Sequence, residues 1–129
     1  MQFRTPLILL LLIFTVGLGA EENKSDPISY YEVKPSLVTN LTSGGKYIRT
    51  DIQLMTRDAS FQEQLDLHGP AIRHTLLMLL SEQDGDTLRS AQGKEALRQQ
   101  ALAQINKLML ELTGKSGPEA LFFTTFFVQ

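Results

Sequence analysis

From Tyr47 to Thr56 the chain alternates, with Ile48, Thr50, Ile52 and Leu54 on one side and Arg49, Asp51 and Gln53 on the other. A period of two predicts a strand with one buried face. The run before it, Tyr30 to Leu41, mixes aromatic and β-branched residues around Pro35, which has no amide hydrogen. That predicts a strand broken at Pro35 or lying at a sheet edge. Ser43-Gly44-Gly45-Lys46 between the two runs reads as a turn, so they form an antiparallel hairpin. From Ser60 the period lengthens. Phe61, Leu65 and His68 stand at helical spacing, Gly69-Pro70 interrupts, and Pro70 suits the first turn of a renewed helix. Ile72, Leu76, Leu79 and Leu80 mark its apolar face. Gln83-Asp84-Gly85-Asp86 reads as a loop. A second helix is expected from near Gly93, with Leu97, Ala101, Ile105, Met109 and Leu112 as its buried stripe, Gly114 ending it and Pro118 preventing its continuation.

The chain closes on Leu121-Phe122-Phe123-Thr124-Thr125-Phe126-Phe127-Val128-Gln129, which holds four of its seven phenylalanines. An apolar end of this kind is expected to be a paired strand that seals the sheet. Strict alternation puts Phe122, Thr124, Phe126 and Val128 on one face and Phe123, Thr125 and Phe127 on the other. Aromatics on both faces predict either a central strand covered on both sides, the reading favoured here, or a strand covered by helices on one side and a partner on the other. The predicted order is β-β-α-α-β, a small α+β domain with helices over one face of a short sheet.

The first residues change where this domain is placed. One positive charge, Arg4, precedes about 16 uncharged residues, fewer than the ~20 that usually span a bilayer. Residues 1–20, with Leu7, Leu12 and Val16 in the apolar run and Ala20 before Glu21, are therefore a signal peptide or a short membrane anchor. Both readings stay open, and both export the remainder. Residues 21–28 are polar and read as a linker, leaving 29–129 as one domain of roughly 100 residues.

Composition removes several functions. No cysteine is present, which excludes a disulfide framework, a thiolate metal site and cysteine catalysis. Net charge is −2, and −3 once residues 1–20 are set aside, so nothing calls for nucleic acid. His68 and His74 are six residues apart across the Gly-Pro break, which rules out the i, i+4 metal pair; surface or capping roles are expected. Asp84-Gly85-Asp86 lacks the further ligands of a calcium loop and reads as a solvated turn. Gly114-Lys115-Ser116-Gly117 follows a helix, whereas a phosphate loop precedes one. Asn40-Leu41-Thr42 matches a glycosylation sequon. No serine elbow or triad is visible. The expectation is a protein that is not an enzyme, with no cofactor, no metal and no small-molecule substrate. Arg73, just after Pro70-Ala71-Ile72, is expected to serve structure at the helix start rather than to contact a ligand.

Taken in order, Pro70-Ala71-Ile72-Arg73, Leu79-Leu80-Ser81, Leu88, Gly93-Lys94 with Leu97-Arg98, Ile105-Asn106-Lys107 and Phe126-Phe127-Val128-Gln129 resemble the flagellar basal body-associated FliL family. The resemblance covers about Tyr30 to Gln129. It implies a single-pass inner-membrane protein with a periplasmic domain similar to the stomatin (SPFH-type) fold. It also implies a ring-like homo-oligomer beside flagellar stator units, supporting torque, swimming and swarming. Pro70, Arg73, Asn106, Phe122, Phe126 and Phe127 become candidates for fold or assembly roles. Two departures stand out: six residues precede the apolar run, where family members carry a cytoplasmic tail and a longer span, and His74 occupies a position where an acid or amide is common. Signal cleavage would instead leave a soluble periplasmic binding or adaptor domain.

Overall fold

The computed structural model describes residues 27–129 together with Gly17. Leu7, Leu12, Val16 and Ala20, the expected signal or anchor positions, lie outside the described residues. One antiparallel sheet is ordered β1 (Ser29–Asn40), β2 (Tyr47–Thr56), β3 (Ala120–Val128). Between β2 and β3 run four helices: α1 (Ala59–Leu67), α2 (Gly69–Ser81), α3 (Gly85–Arg89) and α4 (Ala91–Thr113). The α+β class and the hairpin agree with the sequence reading, but the helices number four.

The alternation of β2 supplies the core's floor. Ile48, Thr50, Ile52 and Leu54 are all fully buried, and the buried Thr50 hydroxyl donates to the Thr125 carbonyl at 2.6 Å. Helices cover this face: Ile72, Leu76, Leu79 and Leu80 from α2 and Leu97, Ala101, Ile105 and Met109 from α4 join one cluster with Val33, Leu37, Phe61, Leu65, Leu88 and Leu121. Leu112 does not. It is 45% exposed because the last turn of α4 runs past the elements it packs on, ending at Gly114 in the left-handed conformation (φ 78°).

The Gln83–Asp86 segment departs further from its expected solvated loop. Asp84 caps α3 by accepting from the amides of Asp86 and Thr87, and it also takes a hydrogen bond of 3.0 Å from Ser43. The Gly85 amide donates to the Ser43 carbonyl at 2.9 Å. The hairpin turn is thus docked on α3, and a Cβ on Gly85 would meet the Gly44 carbonyl at 2.5 Å. Gly93 has a related role where α3 hands over to α4. Ser90 caps α4 through the Gly93 amide, and a Cβ on Gly93 would come within 1.9 Å of the Thr87 carbonyl.

β3 corrects the expectation of a central strand: it lies at the sheet edge, paired on one side with β2. Its faces also differ from strict alternation. Asp51 pairs with Thr125 and Ile52 with Phe123, so Thr124 is an extra residue, a β-bulge. Residues opposite one another share a face. Leu121, Phe123, Phe126 and Val128 therefore face the helices, opposite Leu54, Ile52, Thr50 and Ile48, while Phe122, Thr125 and Phe127 face outward. Phe122 and Phe126, expected on one face, are on opposite ones.

Candidate interaction surface

The outward face of the sheet is built from alternate residues of all three strands. Across it, Val38 of β1, Arg49 of β2 and Phe127 of β3 stand in one row by register, and Glu32, Gln53 and Phe122 in another. Tyr30 and Phe122 lean together over β2, ring centroids 6.5 Å apart. Tyr30, Val38, Phe122 and Phe127 are between 41% and 54% exposed. Apolar margins thus flank a polar central strand. Asp51 in that strand accepts from the Ser36 hydroxyl, which holds its carboxyl below the usual carboxylate range, with Thr125 and the nearby Arg49 charge acting in the same direction.

The candidate residues divide between this face and the scaffold beneath it. Phe122 and Phe127 share the outward face. Phe126 lies on the other side, edge-on to Phe123 at 5.0 Å, with the Lys94 ammonium 4.6 Å from its ring centroid. Pro70 opens α2 and is exposed. Arg73 reaches from α2 to β1, where it donates to the carbonyls of Pro35 and Ser36, in the stretch where the β1–β2 register slips between Val33 and Leu37. Asn106 donates to the Leu102 carbonyl at 2.9 Å and to the Pro118 carbonyl at 3.1 Å, tying α4 to the segment entering β3. Eight residues earlier on α4, Arg98 donates to the Leu121 carbonyl at 3.4 Å while paired with Glu95 at 2.6 Å. Arg98 keeps Glu95 ionised far below the ordinary range, its pKa lowered to about 2.

Tyr30 and Val38 belong to the outward face although the sequence reading did not make them site candidates, and Lys94 lies on the opposite side over the Phe126 ring. The hairpin register would have located the first two, since both lie out of phase with the buried face of β2. The contact of Lys94 with Phe126 gave no local signal, because the two are more than thirty residues apart in the chain.

His68 joins α1 to α2, its amide donating to the Gln64 carbonyl, and His74 is exposed on α2. Among the described residues no group of three or more His, Cys, Asp or Glu could hold a metal ion. Clefts of about 270 to 300 Å³ lie between α2 and α4, along β3 and beside α1, and neither histidine lines them. Lys115 pairs with the α1 cap Asp58 rather than forming part of a phosphate loop. Among the described residues no helix is long and apolar enough to cross a membrane.

Comparison with known proteins gives this surface a setting. The family described as flagellar basal body-associated protein FliL matches residues 30–129. The chain is similar to the flagellar protein FliL of Aquifex aeolicus (strain VF5), 25% identical over 101 residues. That match covers 77% of this chain and 60% of the relative, so the chain spans about three fifths of the relative's length.

Proposed function

We propose a role that starts from what the chain is: it belongs to the FliL family of flagellar basal body-associated proteins. In this reading it is a non-enzymatic motor accessory. Its domain stands on the periplasmic side of the inner membrane, held there by residues 1–20 as a membrane anchor, and associates with copies of itself and with stator proteins. Through those contacts it supports torque, swimming and swarming. A fold similar to the stomatin (SPFH-type) domain is part of the same proposal.

The observation that carries it is the division of labour across the sheet. One face is sealed by helices, while the other presents Tyr30, Val38, Phe122 and Phe127 to solvent. Exposed apolar side chains gathered on one face, here on either side of a polar strand, are the mark of a contact surface. Arg73, Arg98 and Asn106, which lie in the stretches that resemble the family, stiffen the domain behind that surface. No proton relay is required of it.

The test is genetic and mechanical. A deletion strain should lose swarming and motor torque, and the double variant Phe122→Ser/Phe127→Ser should fold yet fail to restore them. A deletion strain that swims and swarms with unchanged torque would overturn the role. A second reading, a soluble periplasmic adaptor, is favoured by Ala20 before Glu21 at a plausible cleavage step. Mass spectrometry of the cellular protein separates the two: an intact Met1 supports the anchor, and a mature start at Glu21 supports the adaptor.

A further inference from the structure

β3 has a stretch of free backbone edge beside a basic groove. A cleft of about 290 Å³ is lined by Leu88, Arg89, Lys94, Phe126, Phe127 and Val128. Three consecutive strand residues point alternately to opposite faces, so a cavity that touches all three must lie along the strand's edge. The other edge of β3 is occupied by β2. The Tyr47 and Gln129 amides and carbonyls exchange hydrogen bonds at 3.0 Å, which fixes the alternation of the ladder. Counting back from that pair, the amides and carbonyls of Phe126 and Val128 point away from β2 and into the cleft.

The remaining edges of the sheet carry side-chain hydrogen bonds at several carbonyls. On β1, Gln62 donates to the Tyr30 carbonyl at 3.2 Å, Arg73 donates to the carbonyls of Pro35 and Ser36, and Pro35 has no amide hydrogen. On the first half of β3, Arg98 donates to the Leu121 carbonyl. Among the described residues no side chain is hydrogen-bonded to the backbone of Phe126 or Val128. Nor does β3 carry a charged residue over Ala120–Val128, whereas natural edges are commonly blunted by charge.

We propose that the free edge of β3 at Phe126–Val128 is a strand-addition site for an extended segment of a partner protein that carries an acidic residue to meet Lys94. The backbone groups supply the ladder, and the Phe126 and Phe127 side chains supply alternate apolar contacts, the usual division in strand addition. Charge selects the occupant. Arg89 is committed to Asp86 at 2.9 Å and to the Gly44 carbonyl. Lys94 has no carboxylate partner among the described residues and stands over the Phe126 ring. An acidic side chain arriving there gains a charge-assisted hydrogen bond. A second copy fits poorly. Its β1 edge is capped at the carbonyls of Tyr30, Pro35 and Ser36, and pairing two copies of this stretch about a two-fold axis brings a second Lys94 and Arg89 to the same junction. The proposal rests on the domain being an interaction module and does not require the motor.

Phage-displayed random octapeptides panned against the detergent-solubilised full chain, followed by titration of enriched synthetic peptides, test it. The expected peptides alternate apolar residues around one Asp or Glu and shift the amide resonances of Phe126 and Val128. Their affinity should fall at least tenfold with Lys94→Glu and less with Lys94→Gln, both variants melting like the parent. A peptide with lysine in place of its acid should recover binding to Lys94→Glu. Enriched peptides without an acid, affinity indifferent to Lys94→Glu, or unshifted Phe126 and Val128 amides would overturn the proposal. So would self-association that blocks the peptides, which would assign the edge to a second copy. Because binding is read on purified protein, it can hold even where the motility test fails.

Discussion

β1 meets solvent with Glu32, Lys34 and Pro35, and side chains from α1 and α2 cap three of its carbonyls. β3 meets it with phenylalanines and threonines and no charge, and α4 closes it at Leu121 alone among the described residues. Both strands flank the same central β2 and both carry an irregularity, at Val33–Leu37 and at Thr124. The contrast shows that an edge position does not dictate how an edge is finished. β1 is finished as a boundary. β3 is held firmly where the chain leaves α4 and left open where it ends, so stability and contact are separated along a single strand.

The coarsest way to break this contrast is to remove the open part of β3. Deleting residues 126–129 takes Phe126 and Val128 from the margin of the core and removes the hydrogen bonds that Gln129 accepts from the Lys46 and Tyr47 amides. The loss should exceed about 4 kcal/mol, comparable with the whole stability of a small domain, and abolish the cooperative thermal transition. A truncated protein that melts within a few degrees of the parent would mean that the open half is a docking strip with no part in folding. Adjacent residues sharpen the point. Leu121→Ala, at a fully buried site, should cost about 2–5 kcal/mol. Phe122→Ala, one residue on and facing outward, should cost less than about 1 kcal/mol by chemical denaturation. Equal costs would show that the bulge does not partition the faces as described.

The alternation of β2 and the apolar stripes of α2 and α4 were legible because each depends on a period repeated over several residues. So was Gly114, whose left-handed conformation is a local requirement. The short α3 was not legible. Five residues are too few to show a period, and it is held by Asp84 bonding its own amides and by a hairpin turn some forty residues away. β3 was legible as a strand but not as an edge. Its phenylalanines alternate past Thr124 as they would in a covered central strand, and the bulge that resets them depends on the pairing of Asp51 and Ile52. The same limit hid what Arg73 and Asn106 do, because each acts on a carbonyl in another element.

Smaller effects separate the two edges. Arg73→Ala frees the carbonyls of Pro35 and Ser36 and should cost about 1.5–3 kcal/mol, the usual value for hydrogen bonds from a charged group. By amide hydrogen exchange the loss of protection should concentrate in β1 around Leu37–Thr39. Arg98→Ala should instead loosen β3 near Leu121–Phe123. If each variant loosened both strands equally, the edges would form one cooperative unit and the contrast between them would fail.

The smallest expected effect concerns acid, and it follows from the clamp on β3. Glu95 orients Arg98, and its carboxyl titrates at about 2 in the folded protein against an ordinary value of 4.5. A depressed carboxyl favours the folded state fully above its unfolded-state value and loses that contribution as pH falls toward its folded one. The Glu95 contribution is therefore present at neutral pH and fades between about pH 4.5 and pH 2. Glu95 is exposed, so the effect is modest and weakened further by salt. Glu95→Gln should flatten the fall of melting temperature with acidification across that window and leave β1 protection unchanged. Asp51, held down by Ser36 on the other edge, keeps its own share of acid sensitivity in that variant. A melting curve as steep in Glu95→Gln as in the parent would remove Glu95 from the clamp and leave Arg98 to hold the Leu121 carbonyl by itself.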